Sequence, residues 1–554
     1  MTALSQALAA ATESVRVLPR WLTLPVAGVA FVLVLGLPTV IVPLGTDQVL
    51  YSLGARTILD GGQLYRDLWE IKPPLIFLIY TVPFAIVGEH MEAVRVLDLL
   101  NTTVAMAAVY LLGRRLFGER AGVLGAAFYG FTYLTWNTPS LVEAESFMAA
   151  PLALAFFLYR PEDGRRDASW RAGAAGLLLG IAFGLKATAL LFLIGLPAAE
   201  LLLRDRSRWT RQGALLRLAL AAGGFMIVQV AVVLYLAAAG VLDDFIDIQR
   251  HYTQPYNDYR FGPGESHARF VLRTTWDWIT FKSFLVVPAA VAVFFALFRP
   301  RHAPGVTLIA LLLLLGVVGI WWQGKMFEYH WLMVVPLLGL LAGYAAGQLL
   351  ELFATLERPR AQLGTALLAG GLLVLAFQPL SDTYDGYRVL LHYADGSMSR
   401  REVEEHYLPL LSVNHELVDY VKANGSPDDR LFVWGLWPQA YFWLDRPLVD
   451  RFVANHGLRA TWAPHSWREE LVEDLEADPP RFFAVARGDN QSWLVGTEET
   501  SDEHLRDSFP ELRRFLEQRY ELVQDFGLFA LLELRPAAVE GQPGNSAIVH
   551  SLSR

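Results

Sequence analysis

The chain has no cysteine in its 554 residues. That excludes disulfides, a thiolate nucleophile and cysteine-based zinc sites. Charge is also scarce: Asp, Glu, Lys and Arg make up 18% of the chain against 54% hydrophobic residues. A soluble protein of this length needs more charge to cover its surface, and the mean hydropathy is accordingly positive, at +0.34. There is no P-loop, no dinucleotide fingerprint and no HExxH, so ATP-driven and nicotinamide chemistry have no support. No short-period repeat is visible. The formal net charge of -9 argues against nucleic acid as a partner.

What the sequence has instead is long runs of Leu, Ala, Val and Phe, several reaching the roughly 20 residues that span a bilayer as a helix. Candidate spans are 21–42, 92–113, 121–138, 143–159, 174–186, 188–203, 213–239, 276–298, 305–322, 330–350 and 363–380. The first is too long for a signal h-region and lacks a small-residue cleavage site, so it reads as a retained span. Arginine clusters orient the set. Arg114, Arg115 and Arg120 form one. Arg160, Arg165, Arg166 and Arg171 form a second, and Arg204, Arg206, Arg208 and Arg211 a third. Arg299 with Arg301 and Arg358 with Arg360 follow. The positive-inside rule puts these in the cytoplasm with Arg16, Arg20 and the N-terminus. Loops 43–91, 139–142, 240–275 and 323–329 then lie outside. The parity holds only if the apolar stretch 73–87, interrupted by Pro83, lies along the outer interface without crossing. The segments 174–186 and 188–203, split at Lys186, are expected to form a tight hairpin of short helices.

Residues 382–535 have the charge and Pro/Gly spacing of a soluble domain. Short apolar runs at 431–434, 481–486 and 526–534 read as strands, and 416–424 and 505–519 as helices. Together they suggest a small layered α/β domain on the extracytoplasmic side. The tail 536–554 is expected to be disordered. The expected fold is thus a polytopic α-helical membrane protein over 1–381, with about eleven spans and interfacial helices in the first outer loop, followed by this domain.

Acids at the outer boundary are the informative residues. Asp47 follows the first span, and Glu143 and Glu145 stand where the third span gives way to the fourth. A carboxylate at an apolar boundary is costly unless it is paired, solvated or bound to a cation. One alone is an ordinary helix-end marker, but three on one side favour a site. Lys72, held before Pro73 and Pro74, suits a point charge facing a lipid phosphate, although singly it reads as a snorkelling lysine. Loop 323–331 packs Lys325, Glu328, Tyr329 and His330 into one short stretch. Loop 240–275 carries His251, Tyr252, Tyr256, Tyr259, Arg260 and His267. Both suit sugar or phosphate contacts, and residue by residue both also suit belt anchors or a solvated loop.

Taken together these segments resemble a known pattern. Asp47 followed by Gly61-Gly-Gln-Leu-Tyr-Arg-Asp-Leu-Trp-Glu-Ile-Lys-Pro-Pro-Leu is similar to the C-type glycosyltransferases of family 39, which include protein O-mannosyltransferases and the lipid A aminoarabinose transferase. Leu112-Gly-Arg-Arg-Leu-Phe-Gly, Gly180-Ile-Ala-Phe-Gly-Leu-Lys and Gly324-Lys-Met-Phe-Glu-Tyr-His continue the resemblance over most of 40–350. Arg430-Leu-Phe-Val-Trp-Gly and Arg519-Tyr-Glu-Leu-Val-Gln-Asp-Phe-Gly are similar to the outer domain of bacterial members. The resemblance implies an inverting hexosyl- or pentosyltransferase of the inner (plasma) membrane, with a polyprenyl-phosphate-linked sugar as donor and a glycan, lipid or protein hydroxyl as acceptor. It makes Asp47 the first-loop catalytic acid, with Glu145 or else Glu143 as the second. Lys72 becomes the donor-phosphate lysine. Apart from the resemblance, Arg56 and Arg66 in the same loop are candidates for that phosphate, and Lys325, Tyr329, His330 and His251 are substrate-binding candidates. In some relatives the two acids help hold a divalent metal, which would place one at Asp47 and Glu145. The chain departs from many relatives in following Asp47 with Gln48 rather than a second acid. The competing readings are a lipid or sugar transporter or flippase, which predicts charges deep in two related halves, and a non-catalytic scaffold.

Overall fold

The computed structural model describes residues 20–136, 138–161 and 169–536. The expected disordered tail beyond 536, Arg16, Arg165 and Arg166 lie outside the described residues. The chain is mostly helical, with one small sheet near its end.

Among the described residues four helices are long and apolar enough to cross a bilayer unaided: Met91–Phe117, Arg211–Ala238, Ala303–Gln323 and Val335–Ala354. Only 17% of the apolar window of Arg211–Ala238 is buried within the protein, as expected of a helix facing lipid. The chain is a multi-pass membrane protein. Helix contacts depend on small residues that let backbones approach. A Cβ on Gly176 would run into the Ala221 carbonyl, which locks Ser169–Leu185 against Arg211–Ala238. Gly125 and Gly343 bring Glu119–Leu134 and Val335–Ala354 together in the same way.

Several expected spans are reshaped. The segment 276–298 is two helices, His267–Phe281 and Ser283–Phe298, bent by 93° at Lys282. The first is amphipathic, and its exposed Leu272 and Trp276 suit an interface rather than a span. The last apolar segment breaks by 62° into Arg358–Leu375 and Phe377–Ala394, so position 382 falls inside a continuous helix. At Lys186 the expected tight hairpin of two short helices is not seen, because Gly195–Leu202 does not pack along Ser169–Leu185. Ser169–Leu185 packs on Arg211–Ala238, whereas Ala187–Ile194, a 3-10 helix, and Gly195–Leu202 pack on Ala303–Gln323. Lys186 has an extended backbone, which breaks the helix there.

The first loop contains helices Thr46–Leu59 and Leu75–Val87, both short for a span. Pro74 caps the second, so the prolines start a helix behind Lys72. The C-terminal sheet has four strands, β1 (Leu431–Trp434), β2 (Phe482–Ala486), β3 (Tyr520–Asp525) and β4 (Phe529–Leu534), in the order β1-β2-β4-β3. β1 runs parallel to β2, and the other pairs are antiparallel. Helices cover it, including Leu411–Asn424, Ser501–Asp507 and Pro510–Arg519. The strand reading of the sequence located β1, β2 and β4 but not β3. That strand is an edge with largely exposed side chains, so its apolar signal is weak.

Candidate active site

Five distant segments meet here: the start of helix Thr46–Leu59, the loop at Lys72, the turn at 139–145, the break at Lys186 and helix Glu328–Met333. Helix Thr46–Leu59 begins where the Gly45 amide donates to Gln48 Oε1 at 2.8 Å, which sets Asp47 in its first turn. The Lys72 ammonium donates to Asp47 Oδ2 at 3.1 Å, and the Tyr329 hydroxyl donates to the same oxygen at 3.1 Å. The Lys72 ammonium also lies 4.9 Å from the centre of the Tyr51 ring. A second ion pair stands close by. The Lys186 ammonium donates to Glu145, whose side chain is only 1% exposed. His330 Nε2 lies 3.9 Å from the same carboxylate oxygen. Tyr329 links the two pairs, with its hydroxyl on Asp47 and its ring 5.6 Å from the Lys186 ammonium.

Glu143 belongs to the same pocket. It accepts from Tyr51 at 2.9 Å and, weakly, from Gln48 Nε2 at 3.4 Å. It follows Val142, a β-branched residue held at φ 69°. Such a backbone costs about 1–3 kcal/mol and persists only where the surroundings enforce it. Here Tyr80 donates to the Val142 carbonyl at 2.8 Å, and Gln48 donates to the Pro139 and Leu141 carbonyls. Gln48, standing where many relatives have a second acid, thus clamps the turn that aims Glu143.

The Lys72 loop is held just as firmly. Buried Glu70 accepts from the amides of Ile71 (2.7 Å) and Lys72 (3.2 Å). Tyr65 donates to the Lys72 carbonyl at 2.9 Å, and Gln249 to the Ile71 carbonyl at 2.8 Å. Gln249 begins a π-helical turn, Gln249–Thr253, which also carries buried Tyr252. Burial alone would lower the Lys72 pKa; Asp47, Glu70 and Glu143 outweigh it and hold the ammonium above its ordinary value. Burial raises Glu70, against the pull of Lys72.

The remaining candidates divide. Lys325 is buried beside the pocket, donates to the Tyr259 carbonyl at 2.9 Å and faces the Tyr256 and Tyr259 rings at 4.2 and 4.9 Å. Burial, with Arg260 nearby, pulls its pKa down to about 7. Arg56 pairs with Glu89 at 2.6 Å and Asp445 at 3.4 Å, and Arg66 with Asp244 at 2.9 Å. Neither contacts the Lys72 pocket. His251 is exposed and donates to Asp247 at 2.8 Å, away from the pocket. The sequence reading passed over Lys186, Tyr51 and Gln48 as site residues. Lys186 did carry a signal, being a lone cation inside an apolar stretch; the other two carried none.

A divalent cation fits these donors poorly. Asp47 is committed to Lys72 and Tyr329, and Glu145 to Lys186, so each carboxylate is already matched by an ammonium. Among the described residues no three His, Asp or Glu side chains are grouped to share an ion.

The chain has counterparts among known proteins. Residues 71–236 match the family model for dolichyl-phosphate-mannose-protein mannosyltransferase. No curated protein sequence matches the chain. Among solved structures, ArnT from Cupriavidus metallidurans bound to undecaprenyl phosphate aligns at a TM-score of 0.57 and 16% identity, covering 94% of this chain and 99% of that one. Its apo state gives 0.55 and 15%, with the same coverage. The oligosaccharyltransferase AglB from Archaeoglobus fulgidus, with dolichol-phosphate and an inhibitory peptide, gives 0.48 at 12% identity over 92% of this chain and 74% of that one. The fold is shared with ArnT. The mannosyltransferase family model covers less than a third of the chain.

Proposed function

We propose that the protein transfers a sugar from a polyprenyl-phosphate carrier to an acceptor hydroxyl at the extracytoplasmic face of the inner membrane. The single observation that carries this reading is the Asp47–Lys72 pair, 3.1 Å apart in a pocket shared with Glu143, Glu145 and Lys186. In the ligand-free chain each of the two partners satisfies the other. A donor phosphate entering the pocket competes for Lys72, and its negative charge is stabilised there as the glycosidic bond breaks. Asp47, released from its ammonium, becomes more basic as the donor binds. It then takes the acceptor proton as general base, a step worth typically ~10²–10⁴-fold. The acceptor oxygen bonds to the anomeric carbon opposite the departing phosphate, which inverts that centre. Glu145, held by Lys186, serves as the second acid, and Tyr329 keeps the two pairs in register.

The finer topology belongs to the same reading: about eleven crossings, a cytoplasmic N-terminus and the α/β domain outside. The transporter alternative fares worse. The charged groups gather at helix ends against the α/β domain, where Gln439 reaches Thr46, rather than midway along spans. The test is direct. Purified protein incubated with undecaprenyl-phosphate-linked sugars and candidate acceptors is expected to release undecaprenyl phosphate. A protein that moves such lipids between leaflets without ever releasing the carrier refutes the transferase reading.

A further inference from the structure

The α/β domain reaches the ion-pair pocket with two polar side chains whose hydrogen-bonding capacity is unused. Gln439, 4% exposed, donates from Nε2 to Thr46 Oγ1 at 3.4 Å, one residue before Asp47. Its Oε1 is buried with no donor among the described residues. His456, 5% exposed, stands edge-on to Trp69 at 5.1 Å and to Tyr252 at 5.6 Å. Its buried Nδ1 has no partner among the described residues, and neither have the indole N–H groups of Trp69 and Trp462 beside it. Burial pushes the His456 pKa down to about 3, and the fields of Asp47 and Lys72 both act on the ring. The imidazole is therefore neutral, with one donor and one acceptor, and Gln439 offers the same pair of functions.

Buried polar atoms are nearly always satisfied in folded proteins, so several orphans around one wall imply a partner that arrives with a ligand. The partner's chemistry can be read from the wall. It carries no net charge and mixes donors with acceptors. A phosphate would find no cation among these groups and is already provided for at Lys72. A pyranose or furanose ring matches, since its hydroxyls both donate and accept. The sugar of the donor is one bond from the phosphate and must lie next to the Asp47–Lys72 pair.

We propose that the α/β domain completes the donor site, with His456 and Gln439 hydrogen-bonding the hydroxyls of the donor sugar while Lys72 holds the phosphate. The domain is then a specificity element rather than a brace over the loops. This rests on the transferase reading given above.

The test compares bare undecaprenyl phosphate with a panel of undecaprenyl-phosphate-linked hexoses and pentoses, using the full-length protein in detergent. Affinities are measured for wild type, His456→Phe, Gln439→Leu and His456→Gln. His456→Phe keeps the ring contact with Trp69 but removes the nitrogens. His456→Phe and Gln439→Leu are each expected to weaken the preferred sugar-bearing lipid about tenfold, equivalent to about 1.4 kcal/mol. Affinity for the bare carrier should stay within twofold, and His456→Gln should recover most of the loss. Equal weakening of both lipids would mean that these residues only support the fold, and would overturn the proposal. So would unchanged affinity for both, or a defect confined to the acceptor KM. The two readings fail separately. A wild type that prefers sugar-bearing lipids yet never releases the carrier sinks the transferase while keeping the sugar wall. Normal turnover in wild type with unaltered variants sinks the wall alone, and a wild type that binds neither lipid sinks both.

Discussion

Removing the Lys186 ammonium should destabilise the protein more than removing both members of its pair. Glu145 is 1% exposed, and its charge is met by Lys186, with His330 the next nearest group at 3.9 Å. Lys186→Met preserves length and apolar volume but leaves a carboxylate with no ammonium. Breaking a buried pair from one side typically costs about 3–5 kcal/mol, because the remaining charge is desolvated without compensation. Replacing both partners by neutral groups of similar shape is often close to neutral. Lys186→Met is therefore expected to lower unfolding stability by about 3–5 kcal/mol, and Lys186→Met with Glu145→Gln to recover to within about 1 kcal/mol of wild type. The assay is SDS titration of the purified protein in mixed micelles, followed by tryptophan fluorescence and protease sensitivity, with the complete double-mutant cycle measured. A loss below about 1 kcal/mol for Lys186→Met would refute the argument, since Glu145 would then be solvated or protonated without its partner. A double variant no more stable than Lys186→Met would refute it too, because the lysine would be acting through packing and not charge.

Asp47→Asn should abolish carrier release by ~10²–10⁴-fold while the protein still elutes as a folded species; near-normal turnover would remove Asp47 from the chemistry. Lys72→Ala should mainly raise the KM for the lipid donor, and an unchanged donor response would count against a phosphate role. Asp450, in the α/β domain, is raised to about 7 by burial, with Asp474 adding to the shift. The folded state keeps that proton while the unfolded chain loses it near pH 4, so its contribution to stability is full below pH ~4 and falls as pH rises to ~7. Asp450→Asn should flatten that decline, and a wild-type-minus-variant difference independent of pH from 4 to 8 would contradict it. Gly176→Val should force Ser169–Leu185 off Arg211–Ala238, since a Cβ there meets the Ala221 carbonyl. Loss of the monodisperse peak in size-exclusion chromatography is the expected readout, and wild-type elution would show that the helices can part without penalty.

Local chemistry determined much of this protein. Apolar runs too long for a soluble core made it a membrane protein, because the backbone of such a run is satisfied internally only as a helix. The strands β1, β2 and β4 were legible as short apolar runs. Asp47, Lys72 and Glu145 stood out because a charge beside an apolar run is expensive and asks for a reason. Tertiary structure decided which of those charges meet. Asp47 and Lys72 are 25 residues apart and Glu145 and Lys186 are 41 apart. Arg56 and Arg66, much nearer to Lys72 in the chain, point to other acids instead. No spacing rule joins segments that are brought together only by helix packing on glycines such as Gly176 and Gly343, nor does any rule announce that His456, from a domain more than 300 residues later, closes on the loop of Trp69. A sequence can show where a charge is costly, but the partner that offsets the cost is chosen by the folded surface, over distances at which the chain carries no local pattern.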